Sequence, residues 1–217
     1  MEFNVDKCKV MHLGRNSLNS QYALGSSTLK STESEKDLGV LVDKSFKFSE
    51  QCNKAANSAN AVIGMIKRTI KCRRKDIMVR LYKALVRPKL EYCVQAWCPY
   101  LKKDMDKLEK VQARATRLVN GCQNLTYENR LNYTGLTTTI SERRIRGDLI
   151  EVLKKLKGFS KVKCGTWFKF SVNSRTQGHR YKLVKSRSKL EVQKTFSVSG
   201  FLTNGTVCLV RLLRQSL

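Results

Sequence analysis

From Ser45 to about Gly158 the apolar residues recur at intervals of three and four, and a chain with that period over so long a span is committed to packed helices. Ala55, Ala59, Val62, Ile63 and Ile66 form one buried stripe, and small residues on it (Ala55, Ala56, Ala59, Gly64) leave room for a second helix to approach. Ser45 or Ser49 is placed to cap this helix by accepting a backbone N–H bond. The basic run KRTIKCRRK, residues 67–75, ends it and bridges to the next, and cations suit a helix C-terminus. The second helix starts near Asp76 and carries Ile77, Leu81, Ala84 and Leu85 until Pro88, which supplies no N–H, breaks or kinks it. LEYCVQAW continues the path as a tight apolar hinge that Pro99 closes. A helix from Lys102 to Asn120, with Gly121 as its C-cap, buries Met105, Leu108, Val111, Ala115 and Leu118. A further helix opens at T139-I-S-E142, which has capping-box spacing, packs Ile145, Leu149, Val152, Leu153 and Leu156 inward and stops at Gly158.

The flanks read differently. CKVMHLG (8–14) alternates loosely like a strand, YALGSSTLKS is a short hairpin with Gly25 and Ser26 at its turn, and EKDLGVLVD is a strand with Leu38, Val40 and Val42 on one face. Residues 1–44 therefore form a small antiparallel β unit, too thin to stand alone and expected to pack on the helices. Residues 159–217 read as a basic tail of low order, in which FSVSGFLTNGTVCLVRLL adds strands or a short helix. The expected fold class is α+β, mostly α, in three parts: 1–44, 45–158 and 159–217.

Charge narrows the partner. The chain carries 43 Lys and Arg against 17 Asp and Glu, a formal net charge of +26. Residues 1–60 hold eight basic and seven acidic residues, so the surplus lies almost wholly after residue 60. A field of that sign favours RNA or DNA, including the backbone of an RNA–DNA hybrid, over an anionic membrane. No run of about 18 apolar residues exists to span a bilayer, and no signal peptide is evident. Eight cysteines are scattered without a C-x-x-C pair, which points to reduced thiols in an intracellular setting compatible with the nucleus, and away from secretion or a zinc site. The oligomeric state is left open.

Enzyme signatures are missing. The chain has no G-x-S-x-G, no phosphate-cradling glycine loop, no H-E-x-x-H and no adjacent aspartate pair. Asp104 and Asp106, two apart on a helix, point about 200° from each other and cannot share a metal ion. No catalytic residue, metal ligand or cofactor is assigned. The binding candidates are cations. Lys103, Lys107, Lys110, Arg114 and Arg117 alternate at four and three, one narrow stripe beside the buried face. Such a run is usually a solvated face, yet like charges at this spacing repel, and a phosphate backbone would relieve that cost. Lys67, Arg68, Arg73 and Arg74 lie in the basic bridge. Arg143, Arg144 and Arg146 crowd the first turn of the last helix, the wrong end of its dipole, which asks for an anionic partner or acidic neighbours.

Several stretches, in order, resemble one known family: FNVDKCKVMHLG (3–14), EKDLGVLVD (35–43), LYKALVRPKLEYCVQAWCPYLKKDMDKLEKVQARATRLV (81–119), YENRLNYTGLTT (127–138) and ERRIRGDLIEVLKKLKG (142–158). They resemble the C-terminal part of the reverse transcriptase of LINE-type, non-LTR retrotransposons, over about residues 1–195. The resemblance implies that residues 1–44 are the end of the polymerase palm and that 45 to about 120 are the helical thumb. Asn4 and Lys7 match the family's N-x-x-K element, whose lysine lies near the incoming nucleotide. Leu38 and Gly39 match the L-G of the primer-grip hairpin. The basic helix stripe would then face the template–primer duplex. The family's catalytic aspartates, which hold two magnesium ions for phosphoryl transfer, would all lie before Met1. Its tail usually carries W-N-x-L-P, which FSVSGFLTNGTVCLVRLLRQSL lacks, as a frameshift or a decayed copy would leave it.

The resemblance implies a truncated reverse transcriptase remnant that contacts nucleic acid and does not polymerise. Two other readings stand beside it: a stand-alone basic nucleic-acid-binding module, and a decayed reading frame with no selected role. The helix at residues 139–158 is testable by itself. Thr139→Ala should lower the stability of the chain by about 0.5–2 kcal/mol, read as a fall in melting temperature; an unchanged melting curve would argue against a cap there.

Overall fold

Turn residues cut the N-terminal part of the chain into short pieces, and only short ladders form. The computed structural model describes residues 4–13, 17–94 and 96–159, so the readings of the tail beyond 159 lie outside the described residues. A 3-10 turn at Val5–Lys7 leads into β1 (Lys9–Val10), which pairs in parallel with β4 (Lys30–Ser31). β2 (Ala23–Leu24) and β3 (Ser27–Thr28) make an antiparallel hairpin, with Gly25 and Ser26 at the turn as expected. β5 (Ser34–Asp37) and β6 (Val40–Asp43) form the second antiparallel hairpin.

This last hairpin corrects the reading of EKDLGVLVD as one strand. Asp37 pairs with Val40, so Leu38 and Gly39 are the two turn residues, at φ 43° and 87°. Positive φ at both positions is the type I′ form of two-residue turn, whose twist matches that of the flanking strands. Leu38 is therefore 82 % exposed at the tip, while Val40 is buried.

Helices dominate the rest: α1 (Ser49–Thr69), α2 (Lys75–Leu81), α3 (Arg87–Glu91), α4 (Lys102–Arg117), α5 (Tyr127–Thr134) and α6 (Ile140–Leu156). The fold is α+β and mostly α. Neither expected serine caps α1. Phe48, which precedes it, is buried in a left-handed conformation, and the Asp43 carboxylate instead accepts the N–H of Ser45 at 2.8 Å and of Phe48 at 3.0 Å. The Ser49 hydroxyl turns away and donates to Asp104 at 2.6 Å. The expected stripe on α1 is in place: Ala55, Ala59, Ile63 and Ile66 are buried, with Val62 packed against them.

Between α2 and α3 the chain does not break at Pro88. It passes through a π-helical turn, Tyr82–Val86, in which the Arg87 N–H bonds to the Tyr82 carbonyl five residues back. The wider turn lets the proline follow at the start of α3, where its missing N–H is least costly. It also resets the buried face. Met78, Tyr82, Val86 and Leu90 are buried, while Ile77 and Leu81 are half-buried and Ala84 and Leu85 exposed. Steps of four creep about 40° each around a regular α-helix, and the slower winding of the π turn keeps these on one side.

α4 is shorter than its sequence suggests. It ends at Arg117, and Gly121, at φ 81°, serves the turn beyond it. Leu108, Val111 and Ala115 are buried, Met105 and Leu118 only partly, and the polar Asp104, Gln112 and Thr116 complete the inward face. Gln112 accepts from the Tyr82 hydroxyl at 2.6 Å and donates to the Thr138 carbonyl at 3.0 Å, so its burial is satisfied. α6 begins with both halves of the capping box at Thr139 and Glu142. Gly158, at φ 76°, ends it.

α6 carries the largest departure. Ile145 is 38 % exposed, and Arg144 takes the inward position with 6 % exposure. Its guanidinium lies 4.1 Å from the centroid of the Trp97 ring, donates to the Leu90 carbonyl at 2.9 Å and reaches the Trp97 carbonyl at 3.4 Å. Trp97 is fully buried and its own Nε1–H donates to the Tyr92 carbonyl at 2.8 Å. Side chains thus satisfy the carbonyls of Leu90, Tyr92 and Trp97, while the Ala96 N–H serves that of Cys93 at 2.9 Å. Arg144→Lys should cost about 2–4 kcal/mol in urea denaturation, because an ammonium can neither span both carbonyls nor stack on the ring; a loss under about 0.5 kcal/mol would show the contact to be dispensable.

Candidate nucleic-acid interface

The stripe on α4 is positioned by α1. Three contacts join the helices: Ser49 to Asp104, Lys107 Nζ to Asn53 Oδ1 at 2.7 Å, and Arg114 Nη1 to Asn60 Oδ1 at 3.0 Å. The partner numbers rise together, so α1 and α4 run parallel. Asp104 is fully buried near the start of α4, where the helix dipole favours a carboxylate, and Lys107 Nζ stands 3.4 Å from its second oxygen. The five cations therefore divide. Lys107 and Arg114 are hydrogen-bonded to α1, Lys107 half-buried and Arg114 still exposed. Lys103, Lys110 and Arg117 are exposed, seven apart, in a nearly straight row with a step of about 10.5 Å.

The parallel arrangement also brings the two C-terminal ends together. Lys67 and Arg68, exposed in the last turn of α1, stand at the same end as Arg117. The bridge that follows is pinned to the end of α4 by the Asn120 N–H, which donates to the Arg73 carbonyl at 2.9 Å. Arg73 is half-buried, and Arg74 is exposed and pairs with Asp76 at 3.2 Å.

The other candidates lie apart from this row. Gly39 sits against the Tyr92 ring, where a Cβ would come within 3.3 Å, and the Tyr92 hydroxyl donates to the Leu38 carbonyl at 2.9 Å. The turn tip thereby rests on the hinge, with Leu38 facing outward. Asn4 caps the 3-10 turn by accepting the Asp6 N–H at 3.1 Å, and Lys7 is exposed beyond it. Their hydrogen bonds stay local. Of the three arginines on α6, Arg143 pairs with Glu91, Arg144 is buried against the hinge, and only Arg146 is exposed. Acidic and carbonyl neighbours within the chain thus answer the crowding at that helix start for two of them. Arg144, expected to face nucleic acid, is corrected to an internal position.

Sequence reasoning missed Asn53, Asn60, Tyr92 and Tyr133. The two asparagines had a readable signal, since their spacing of seven matches that of Lys107 and Arg114. Tyr92 and Tyr133 had none, because only the packing of distant segments decides what each ring touches.

Titratable groups behave as their surroundings dictate. Burial pushes the Cys52 thiol up to about 12, and it raises Cys98 and Cys122 as well. The described cysteines are free thiols. Burial raises Asp43, but hydrogen bonds from the Ser45 hydroxyl and from nearby N–H groups outweigh it and hold the carboxyl below its usual range. Among the described residues no three His, Cys, Asp or Glu side chains gather into a set that could hold a metal ion, and no helix is long and apolar enough to cross a membrane.

Asp148, one turn beyond Arg144, is raised to about 6 by burial, with Arg144 opposing. A carboxyl raised in the folded state stabilises the fold fully below its unfolded pKa, near 3.8, and that contribution is lost as pH rises through 6. Asp148→Asn should therefore raise stability at pH 7 by about 1–2 kcal/mol after discounting for residual solvent, and the gain should shrink towards pH 4. Thermal melts across that range check it, and a gain that does not change with pH would exclude titration of Asp148 as the cause.

Comparison of the chain with protein-family models, with curated proteins and with solved structures gives no match.

Proposed function

We propose that this chain is a nucleic-acid-contacting element, the palm-end and thumb portion of a LINE-type reverse transcriptase, acting in an intracellular setting. The observation that carries the proposal is the exposed row of Lys103, Lys110 and Arg117, with Lys107 and Arg114 fixed beside it by the asparagines of α1. Cations at regular intervals on a rigid helix suit the repeating phosphates of a duplex and read no bases, so contact is independent of sequence and sensitive to salt. The ordered motif resemblances over residues 3–158 support the assignment to that enzyme class. The Leu38–Gly39 tip, held out by Tyr92, supports a hairpin offered to a primer strand. With no adjacent aspartate pair in its sequence, the chain contributes contacts and no phosphoryl transfer chemistry.

A second reading, a stand-alone binding module, is favoured by one observation. One buried cluster includes Val40 of the β hairpin and Ile140 of α6, so the hairpin and the helices share a core.

Binding of the purified chain to an RNA–DNA hybrid across a salt titration tests the interface. Replacing Lys103, Lys110 and Arg117 together by Gln should reduce the slope of log affinity against log salt by about 2–3. An unchanged slope would remove the row from the interface. Primer extension by the chain alone with magnesium would overturn the non-catalytic assignment.

A further inference from the structure

We infer that the corner where α1 and α4 end together binds single-stranded nucleic acid, with Tyr133 as a stacking platform for a base and the cations of residues 67–75 along the backbone. The inference rests on the reading of α4 as a nucleic-acid contact and adds a second, differently built site at its end. Three segments meet there. The bridge 67–75 supplies Lys67, Arg68, Lys71, Arg73, Arg74 and Lys75, α4 supplies Arg117, and α5 supplies Tyr133.

The geometry is specific. The Asn120 N–H holds the bridge to the end of α4 through the Arg73 carbonyl at 2.9 Å. Lys75 Nζ lies 5.1 Å from the centroid of the Tyr133 ring, which fixes the bridge against α5. The Tyr133 hydroxyl lies 3.5 Å from the point a Cβ would occupy at Gly121, whose φ of 81° already excludes most side chains. The ring is thus placed by Lys75 over it and by Gly121 at its hydroxyl, yet 45 % of the residue is exposed.

A bland account of these cations is that they balance two helix C-termini lying side by side. Magnitudes argue against its sufficiency. Each helix end contributes about half a negative charge. Residues 67–76 and the end of α4 carry seven cations and one carboxylate, Asp76, which already pairs with Arg74. Most of the positive field is left for an outside anion. What the row on α4 lacks, and this corner has, is an exposed ring. Single-strand sites combine a basic track with aromatic faces on which unpaired bases stack, and duplex contacts of the phosphate type need no such face. Arg117 belongs to both, so a strand leaving a duplex on α4 meets the corner next. An arriving base would displace the Lys75 ammonium from the ring, and that cation is then placed for a phosphate.

The test uses the full chain, fluorescence anisotropy near physiological salt, and two probes: oligo-dT of about 20 nucleotides, which exceeds the ~4–16 of a typical single-strand site, and a blunt RNA–DNA hybrid. Tyr133→Ser should weaken oligo-dT binding by more than about fivefold and leave hybrid binding unchanged, while Tyr133→Phe, which keeps the stacking face, should match the unaltered chain on both. Lys67→Gln with Lys71→Gln should lower the oligo-dT salt slope by about 1.4 and spare the hybrid slope. These two residues are exposed, so that variant decides the question should Tyr133→Ser lose its helical signal in circular dichroism. Oligo-dT binding unmoved by either variant, a Phe variant as weak as the Ser variant, or equal losses on both probes would each overturn the inference. An unaltered chain that binds the hybrid but not oligo-dT sinks the corner alone. One that binds neither sinks the nucleic-acid reading with it.

Discussion

The guanidinium of Arg144 on the ring of Trp97 is the contact on which the helical part depends. The segment between α3 and α4 has no regular hydrogen bonding of its own, and Leu90 just before it and Trp97 within it are fully buried. Their carbonyls must find donors inside the protein. Arg144 serves those of Leu90 and Trp97, and the Trp97 Nε1–H serves that of Tyr92. Burying a cation is expensive unless its donors are used. Here Nη1 and Nη2 donate and the Trp97 ring lies against the guanidinium, while the buried Nε has no hydrogen-bond partner among the described residues. Because Arg144 stands on α6 and Trp97 just before α4, the same contact fixes the last helix to the hinge. Glu91 reinforces it from the side by pairing with both Arg143 and Arg87.

With the hinge fixed, α4 runs parallel to α1, and the charge distribution follows from that direction. Both N-termini lie at one end, where the buried Asp104 accepts from Ser49 and meets Lys107. Both C-termini lie at the other, where Lys67, Arg68 and Arg117 collect. A sequence that places cations in the last turn of each helix thereby produces one basic corner and one basic row, where antiparallel packing would have set them at opposite ends.

The β hairpin is tied into this frame at two levels. Val40 joins the core, and the Gln51 side chain accepts the Leu41 N–H at 2.9 Å. Farther out, Tyr92 holds the Leu38–Gly39 tip from beneath. The hinge therefore supports the tip on one side and α6 on the other, and residues distant in sequence become parts of one surface.

Local chemistry was legible in the sequence. The Gly25–Ser26 turn, the apolar stripe of α1, the capping box at Thr139 and the helix stop at Gly158 each depend on a few neighbouring residues, and each stands where its residues place it. The α+β class and the basic stripe on α4 were equally readable, because period and charge survive any packing. Tertiary structure decided which face of each element turns inward. Periodicity alone prefers Ile145 to Arg144, and Ile77 to Met78, since it scores apolarity. The fold prefers the side chain that satisfies a buried carbonyl, and it uses a π turn before Pro88 to bring Met78, Tyr82, Val86 and Leu90 onto one side. Which cations are tethered to the neighbouring helix was settled in the same way, by asparagines on a parallel helix some fifty residues earlier. Local signals carry the energy of a single turn, whereas the choice of face follows from contacts between segments that meet only when the whole chain is folded.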